Sequence, residues 1–205
     1  MPQEPTIVAG LTADGVRQAV ADRYGRVALE PTAGGGFPVG RGFAEAVGYP
    51  RHLLDSLPSA ATASFTGVSY LPAWTALEPG EVVVDLGCGA GVDALIAART
   101  VGPAGRVLAV DLAPPMVELT RANARAAGLA NVDARQGAVE ALPLPDAVAD
   151  VATANGVFNL APEKERAVAE AWRVLKPGGR LVAAEIVLAE EVPASERGTL
   201  DDWFR

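Results

Sequence analysis

The chain has 205 residues, a formal net charge of −8 and a composition that is half apolar. This is enough for one domain with a small appendage, and the acidic balance argues against a nucleic-acid partner, whose phosphates require an excess of Lys and Arg. Cys88 is the only cysteine, the N-terminus Met1–Pro5 has no basic or apolar leader, and no apolar run reaches the ~20 residues of a membrane helix. A cytoplasmic protein without disulfide, thiolate metal cage or membrane span is therefore expected.

Taken in chain order, residues 12–27 carry Val16, Val20, Tyr24 and Val27 at helical spacing, with Thr12 as the N-cap. Residues 31–42, Pro-Thr-Ala-Gly-Gly-Gly-Phe-Pro-Val-Gly-Arg-Gly, read as a loop, either a passive linker or a flap over an active site. Residues 43–77 read as short helical pieces broken by Pro50, Pro58 and Pro72. From Glu81 onward strands and helices alternate. Strands are expected at 82–86, 106–111, 132–136, 148–155 and 180–188. Helices are expected at 91–101, from Pro114 and Pro115 to about Ala127 with Gly128 as the stop, and from Pro162 to Leu175, ended by Lys176-Pro-Gly-Gly179. Leu142–Asp146 is a turn. This pattern predicts an α/β fold with a doubly wound, mostly parallel sheet of five core strands. It divides into an N-terminal helical or lid segment, 1–78, and an α/β domain, 79–205, forming one structural unit.

The most informative segment is Glu81-Val-Val-Val-Asp-Leu-Gly-Cys-Gly-Ala-Gly-Val-Asp93. An apolar run reads as a buried parallel strand, and glycines at alternate positions then let the backbone turn and approach a ligand. Two nucleotides compete for such a loop. Gly89-x-Gly91-x-x-Ala94, with Asp111 downstream for a ribose, fits a loose dinucleotide fingerprint. Asp85-x-Gly87-x-Gly89-x-Gly91 fits S-adenosylmethionine, whose ammonium group an acidic side chain can receive, whereas that side chain would repel a pyrophosphate. Asp85 tilts the choice toward the second.

At this point the chain resembles the class I methyltransferases. Pro79–Gly91 looks like their motif I, Val110-Asp-Leu-Ala-Pro-Pro-Met-Val117 like the second-strand motif, Gly137–Asp146 like the adenine-contacting loop, and Leu175–Leu181 like the turn before the fifth strand. The resemblance implies S-adenosylmethionine held on Asp85, Gly87, Cys88, Gly89, Gly91, Asp111, Leu112, Met116, Ala138, Val139 and Asn155. It also implies transfer to a small-molecule methyl acceptor that enters from the N-terminal segment, with 31–72 as part of a lid. The nearer resemblance is to arsenite methyltransferases, through Gly48-Tyr-Pro50, Leu57-Pro58, Val157-Phe-Asn-Leu160 and Pro162-Glu-Lys164. That subfamily binds trivalent arsenic through thiolates in a Gly-Cys-Gly-Asn-Pro-like segment and an Asn-Cys-Val-x-Asn-Leu-like segment. Here Gly67-Val68-Ser69 and Asn155-Gly156-Val157 stand in those places. Both thiols are missing, so arsenite is not expected as the acceptor. Class I methyltransferases usually add two further strands, and none is visible after Leu188. The fifth strand is then expected to be an exposed edge, in a fragment or covered by a homodimer or accessory partner.

Methyl transfer from a sulfonium asks the protein mainly to orient the reactants and exclude water. No catalytic residue is assigned and no metal is expected. His52, the only histidine, reads as a surface residue, Tyr49 and Tyr70 as structural, and Glu140 as a loop-positioning group. Asp93 reads as an N-cap of the helix in preference to a cofactor contact. Asn155 fits a ligand contact and a turn cap equally, and Trp74 and Trp172 are expected in the core or an interface. Two other functions stay open: a nicotinamide-dependent oxidoreductase, for which no Tyr-x-x-x-Lys pair is found, and a homologue that binds the cofactor without catalysis.

Overall fold

The computed structural model describes residues 10–33 and 36–187. The N-terminal segment contributes α1 (Ala13–Leu29), α2 (Arg41–Ala46), α3 (Arg51–Asp55), α4 (Ser59–Ala63) and α5 (Pro72–Thr75), with a 3-10 turn at Pro31–Ala33 inside the expected loop. Thr12 caps α1, its side chain accepting the Gly15 N–H at 3.3 Å. The α/β part then runs β1 (Val82–Leu86), α6 (Val92–Val101), β2 (Arg106–Asp111), α7 (Pro114–Ala126), β3 (Val132–Gln136), β4 (Ala149–Asn155), α8 (Lys164–Val174) and β5 (Leu175–Ala184).

The five strands are all parallel in the order β3-β2-β1-β4-β5, the expected doubly wound sheet. β1 lies at its centre, and alternate side chains feed two cores. Val84 and Leu86 pack with Leu108 and Val110 beneath Ala167, Ala171 and Val174 of α8. Val83 packs with Val107 and Ala109 beneath Ala94, Ala97, Ala98 and Val101 of α6. A strand covered on both faces reads as an unbroken apolar run, which is why the pattern at 82–86 was legible. A third core joins the N-terminal helices to the sheet domain: Tyr49, Leu54, Leu57 and Phe65 pack on Val92, Leu95 and Ile96 of α6 and Ala124 of α7. The order in which strands are added to the sheet reverses between β1 and β4, so the crevice at their carboxyl ends is where a parallel sheet of this kind binds ligands.

Four expectations are corrected. β5 begins at Leu175, not at 180: Leu175 pairs with Ala149, and the ladder resumes with Arg180 opposite Val151. Lys176–Gly179 is therefore a bulge inside the strand, made where Pro177 has no N–H to give and Gly178 adopts φ +83°. α8 begins at Lys164, two residues after the expected Pro162. Trp74 and Trp172 are 73% and 56% exposed, so they are not core residues. β5 also ends at Ala184, short of the expected Leu188, with residues 185–187 outside any strand. Leu188 itself, the segment 190–205 and the N-terminal residues 1–9 lie outside the described residues. Among the described residues β5 pairs with β4 alone, and no helix is long and apolar enough to cross a membrane.

Candidate active site

β1 delivers its chain into the crevice through three left-handed glycines, Gly87 (φ +67°), Gly89 (φ +52°) and Gly91 (φ +91°). Packing explains two of them. A Cβ on Gly87 would lie 2.5 Å from Val157 Cγ2, and one on Gly91 would lie 3.0 Å from Thr120. A Cβ on Gly89 would meet nothing within 4 Å, so this glycine faces open space and not protein. The loop is pinned from outside. The Gly89 N–H donates to Asp111 Oδ2 at 2.8 Å, the Thr120 hydroxyl to the Gly89 carbonyl at 2.6 Å, and the Asn123 amide to the Ala90 carbonyl at 2.9 Å. Thr120 and Asn123 are site-building residues that sequence reasoning missed. Their signal is a polar residue on the buried stripe of α7, where both are fully enclosed.

Two carboxylates sit at the loop. Asp111, at the end of β2, also accepts the Ala113 N–H at 2.9 Å through Oδ1. Burial holds it above the usual carboxylate range, with the Ala113 and Gly89 amides pulling the other way. Asp85, in β1, is 3% exposed; Thr153 donates to its Oδ1 at 2.9 Å, and its Oδ2 is buried with no hydrogen-bond partner. Burial and then the charge of Asp93 push it well above its ordinary range. An unpartnered buried carboxylate oxygen is costly unless something else supplies the partner. Cys88 is buried beside them, 3.8 Å from Thr120 Oγ1, and burial pushes its thiol up, so it is a packed side chain and not a reactive one.

Above the loop lies an open-mouthed cavity. One wall is Gly87, Gly89, Asp111, Leu112 and Val139. The other combines Arg17, Val20 and Tyr24 of α1 with Thr66, Asn155–Val157 and Leu160–Pro162. A smaller pocket opens inward and is lined by Asp85, Gly87, Cys88 and Gly89 together with residues 64–67, Asp93 and Asn155. Most expected site residues therefore converge. Met116 does not: it is fully buried against Val27, Ala90 and Ala113, behind the loop. Ala138 bridges to Ala141 at the foot of the loop whose Val139 reaches the cavity. The contribution of α1 was not foreseen, because Val20 and Tyr24 on an apolar helical stripe look like core. Arg17 fastens this helix across the cavity mouth, pairing with Glu140 at 3.3 Å and with Glu163.

Residues 77–205 match the family described as "Methyltransferase domain". The chain belongs to this family. It is of the class I, S-adenosylmethionine-dependent kind and similar to arsenite methyltransferases. The arsenite methyltransferase of Halobacterium salinarum is 35% identical over 202 residues, covering 92% of this chain and 51% of that protein. The arsenic(III) S-adenosylmethionine methyltransferase of Chlamydomonas reinhardtii is 32% identical in sequence with a TM-score of 0.59, over 78% of this chain and 53% of the other. A SAM-dependent methyltransferase of Aquifex aeolicus is 26% identical with a TM-score of 0.53, over 64% of this chain and 76% of the other. The chain thus spans about half the length of the arsenite methyltransferases it matches. The family match decides between the two nucleotides considered above, and the nicotinamide reading has no support in it.

For a methyltransferase of this kind, the two segments that resemble arsenic-binding ones are of interest, and the fold brings them together. Asn155 Oδ1 accepts the Val68 and Ser69 N–H groups at 2.8 and 3.2 Å. A Cβ on Gly156 would stand 3.0 Å from Val68 Cγ1. No thiol stands at either place, and among the described residues no group of three His, Cys, Asp or Glu side chains is placed to hold a metal ion. Asp93 is not an N-cap. It is the second residue of α6, whose cap is Gly91, and its carboxylate accepts Tyr49 Oη–H at 2.5 Å and Asn155 Nδ2–H at 2.8 Å. Burial raises it to about 6. Tyr49 is 2% exposed and stacks edge-on against Phe65 and near Tyr70, while His52 is exposed.

Proposed function

We propose that this chain moves a methyl group from S-adenosylmethionine to a small-molecule acceptor. The observation that carries the reading is Asp85 Oδ2, a buried carboxylate oxygen with no partner directly under the glycine loop. It suits an ammonium group and disfavours a pyrophosphate. On this reading Asp85 receives the amino group. Asp111 uses one lone pair on each oxygen for backbone N–H groups and keeps the others for ribose hydroxyls. Leu112 and Val139 flank the adenine, and the open space at Gly89 admits the remainder. When bound, the cofactor supplies a methyl group on positively charged sulfur.

The chain's own work is orientation and exclusion of water. Val20, Val157 and Leu160 give the far wall an apolar surface, and Thr66 and Tyr24 line it beside them. Burial and then the charge of Asp111 hold the Tyr24 phenol above its usual range, so it stays a hydrogen-bond donor at neutral pH. Val68 and Gly156, where arsenite methyltransferases carry thiols, leave a soft metalloid without soft ligands, so the acceptor is another small molecule. Calorimetry with S-adenosylhomocysteine and, separately, NAD tests the cofactor. Binding of S-adenosylhomocysteine alone is expected, and binding of NAD alone overturns the proposal. A panel of thiol, amine, hydroxyl and metalloid acceptors tests transfer. A second reading, cofactor binding without transfer, is favoured by the same missing thiols, and failure of every acceptor would support it. We also infer that the edge of β5 left unpaired among the described residues pairs with a second copy or an accessory chain, which light scattering of the full chain tests.

A further inference from the structure

The amide of Asn155 is saturated. Its oxygen accepts two backbone N–H groups, from Val68 and Ser69, and its two N–H bonds serve the Ser69 carbonyl at 2.9 Å and Asp93 Oδ2 at 2.8 Å, with Tyr49 Oη farther off at 3.2 Å. Tyr49 closes the ring by donating to the other oxygen of Asp93. There is no slack at this point, since a Cβ on Gly67 would lie 2.6 Å from Asn155 Nδ2. Thr66, next in the chain, lines the large cavity with Gly87 and Gly89, and both Thr66 and Gly67 line the inner pocket with Asp85.

We propose that Asp93 is a positioning residue: by orienting the Asn155 amide it seats Val68 and Ser69 and thereby Thr66 and Gly67 before them, which line the cofactor cavity and its smaller neighbour. This rests on reading that cavity as the S-adenosylmethionine site. An ionised carboxylate accepts only, so it draws the amide NH₂ toward itself and turns the amide oxygen to the Val68 and Ser69 N–H groups. Reversing the amide would set its NH₂ against two N–H donors and its oxygen against the carboxylate. A protonated Asp93 is a weaker acceptor for the amide NH₂ and gives up the charge-assisted hydrogen bond, so the seat is firmest in the ionised form. The groups facing Asp93 are the Tyr49 hydroxyl, the Asn155 amide, the Asp85 carboxyl and, across the adjoining cavity, the Thr153 hydroxyl. No Lys, Arg or His lines either pocket that Asp93 borders. Its burial, opposed by the Asn155 and Tyr49 donors, brings its titration to about 6, within experimental reach.

The test is amide hydrogen exchange of the full chain from pH 5 to 8, with and without S-adenosylhomocysteine, for wild type, Asp93→Asn and Tyr49→Phe. Losing a hydrogen bond to a charged group corresponds to ~10- to 100-fold. Wild-type protection at Val68 and Ser69 is expected to fall by about that factor as pH drops through the Asp93 titration. Asp93→Asn should lose this step and bind S-adenosylhomocysteine more weakly by a similar factor. Tyr49→Phe removes a donor that favours the carboxylate, so it should move the step to higher pH. Unchanged protection in Asp93→Asn, or a pH step that persists there, overturns the inference. If Asp93→Asn does not fold, an unmoved midpoint in Tyr49→Phe overturns it. Failure of wild type to bind S-adenosylhomocysteine would instead overturn the proposed function, and the exchange step in the ligand-free protein would still decide the seat.

Discussion

The two walls of the cavity are built in opposite ways. The wall at the glycine loop comes from one continuous strand-turn-helix, the end of the neighbouring strand and Val139 from the loop after β3, and its polar contacts are mostly backbone groups fixed by Asp111, Thr120 and Asn123. The facing wall is assembled from α1, Thr66 and residues between 155 and 162, which meet through tertiary packing: α1 through Val27 on Ala90, Ala113 and Met116, the segment before Thr66 through Phe65 on α6, and Phe158 and Ala161 through the core under α8. A backbone cradle constrains few side chains but demands particular dihedral angles, so it recurs as a motif. A wall of packed side chains can change its chemistry while the fold stays the same, and here Val68 and Gly156 meet where the resemblance to arsenite methyltransferases implies thiols.

The comparison can be broken first at Asp111. Asp111→Ala removes the anchor of the Gly89 and Ala113 N–H groups together with the expected ribose contact. Two hydrogen bonds to a charged group are worth about 3 kcal/mol or more, so S-adenosylhomocysteine affinity should fall at least ~100-fold by calorimetry. A loss under tenfold would mean that the loop holds the ligand without it.

The glycines separate structure from ligand contact. Gly87→Ala forces a methyl to 2.5 Å from Val157, and overpacking of about 1–3 kcal/mol adds to left-handed strain of about 1–2 kcal/mol. It should lower stability in urea markedly. Gly89→Ala carries the strain alone, because a Cβ there meets no protein atom. It should cost about 1 kcal/mol of stability and proportionally far more ligand affinity. Equal effects of the two substitutions on binding and stability would erase the distinction.

The acid cluster predicts a pH signature. Burial raises Asp85, Asp93 and Asp111 alike, so each binds a proton more readily in the folded chain than in the unfolded one. Their contribution to stability is complete below the unfolded value of about 4 and is lost as pH rises through the folded values, about 6 for Asp93. Asp133 and Glu170, held down by Arg135 and Arg173, act below that window. The Tm of the ligand-free protein should therefore rise as pH falls from 8 to 5. Saturating S-adenosylhomocysteine should flatten the rise, because its ammonium favours ionised Asp85. A ligand-free Tm that climbs with pH over this range contradicts the assignment.

On the facing wall the effects should be smaller. Val20, 8% exposed on α1, lines the cavity, and Val20→Ala should cost about 1 kcal/mol in urea unfolding while changing S-adenosylhomocysteine affinity only a few-fold. The smallest expected effect is that of arsenite, which should leave Tm unchanged. A dose-dependent shift would show that soft-metal binding survives without the two thiols.

Much of this was legible in the chain itself. The strand at 82–86, the alternate glycines, Asp85, Asp111 and the helix opened by Pro114 could be read because each follows from a local rule: apolar burial on both faces, φ above zero, or fixed φ at a helix start. The bulge at Lys176–Gly179 was misread as a turn before the strand, since register with β4 is not a local property. Asp93 was misread as a cap, because its partners Tyr49 and Asn155 lie 44 and 62 residues away in sequence. Met116 was assigned to the site through resemblance, but it faces the back of the loop.

By itself, the sequence determined the parallel sheet, the position of the glycine loop and the two carboxylates beside it, because those depend on backbone conformation and on the burial of contiguous residues. Only the tertiary structure decided that α1 closes the cavity, that Val68 meets Gly156, that Asp85 Oδ2 is left without a partner and that one asparagine ties residues 67–69 to the end of β4. Those contacts join residues far apart in the chain, and their geometry is set by how helices and strands pack, which no local pattern encodes.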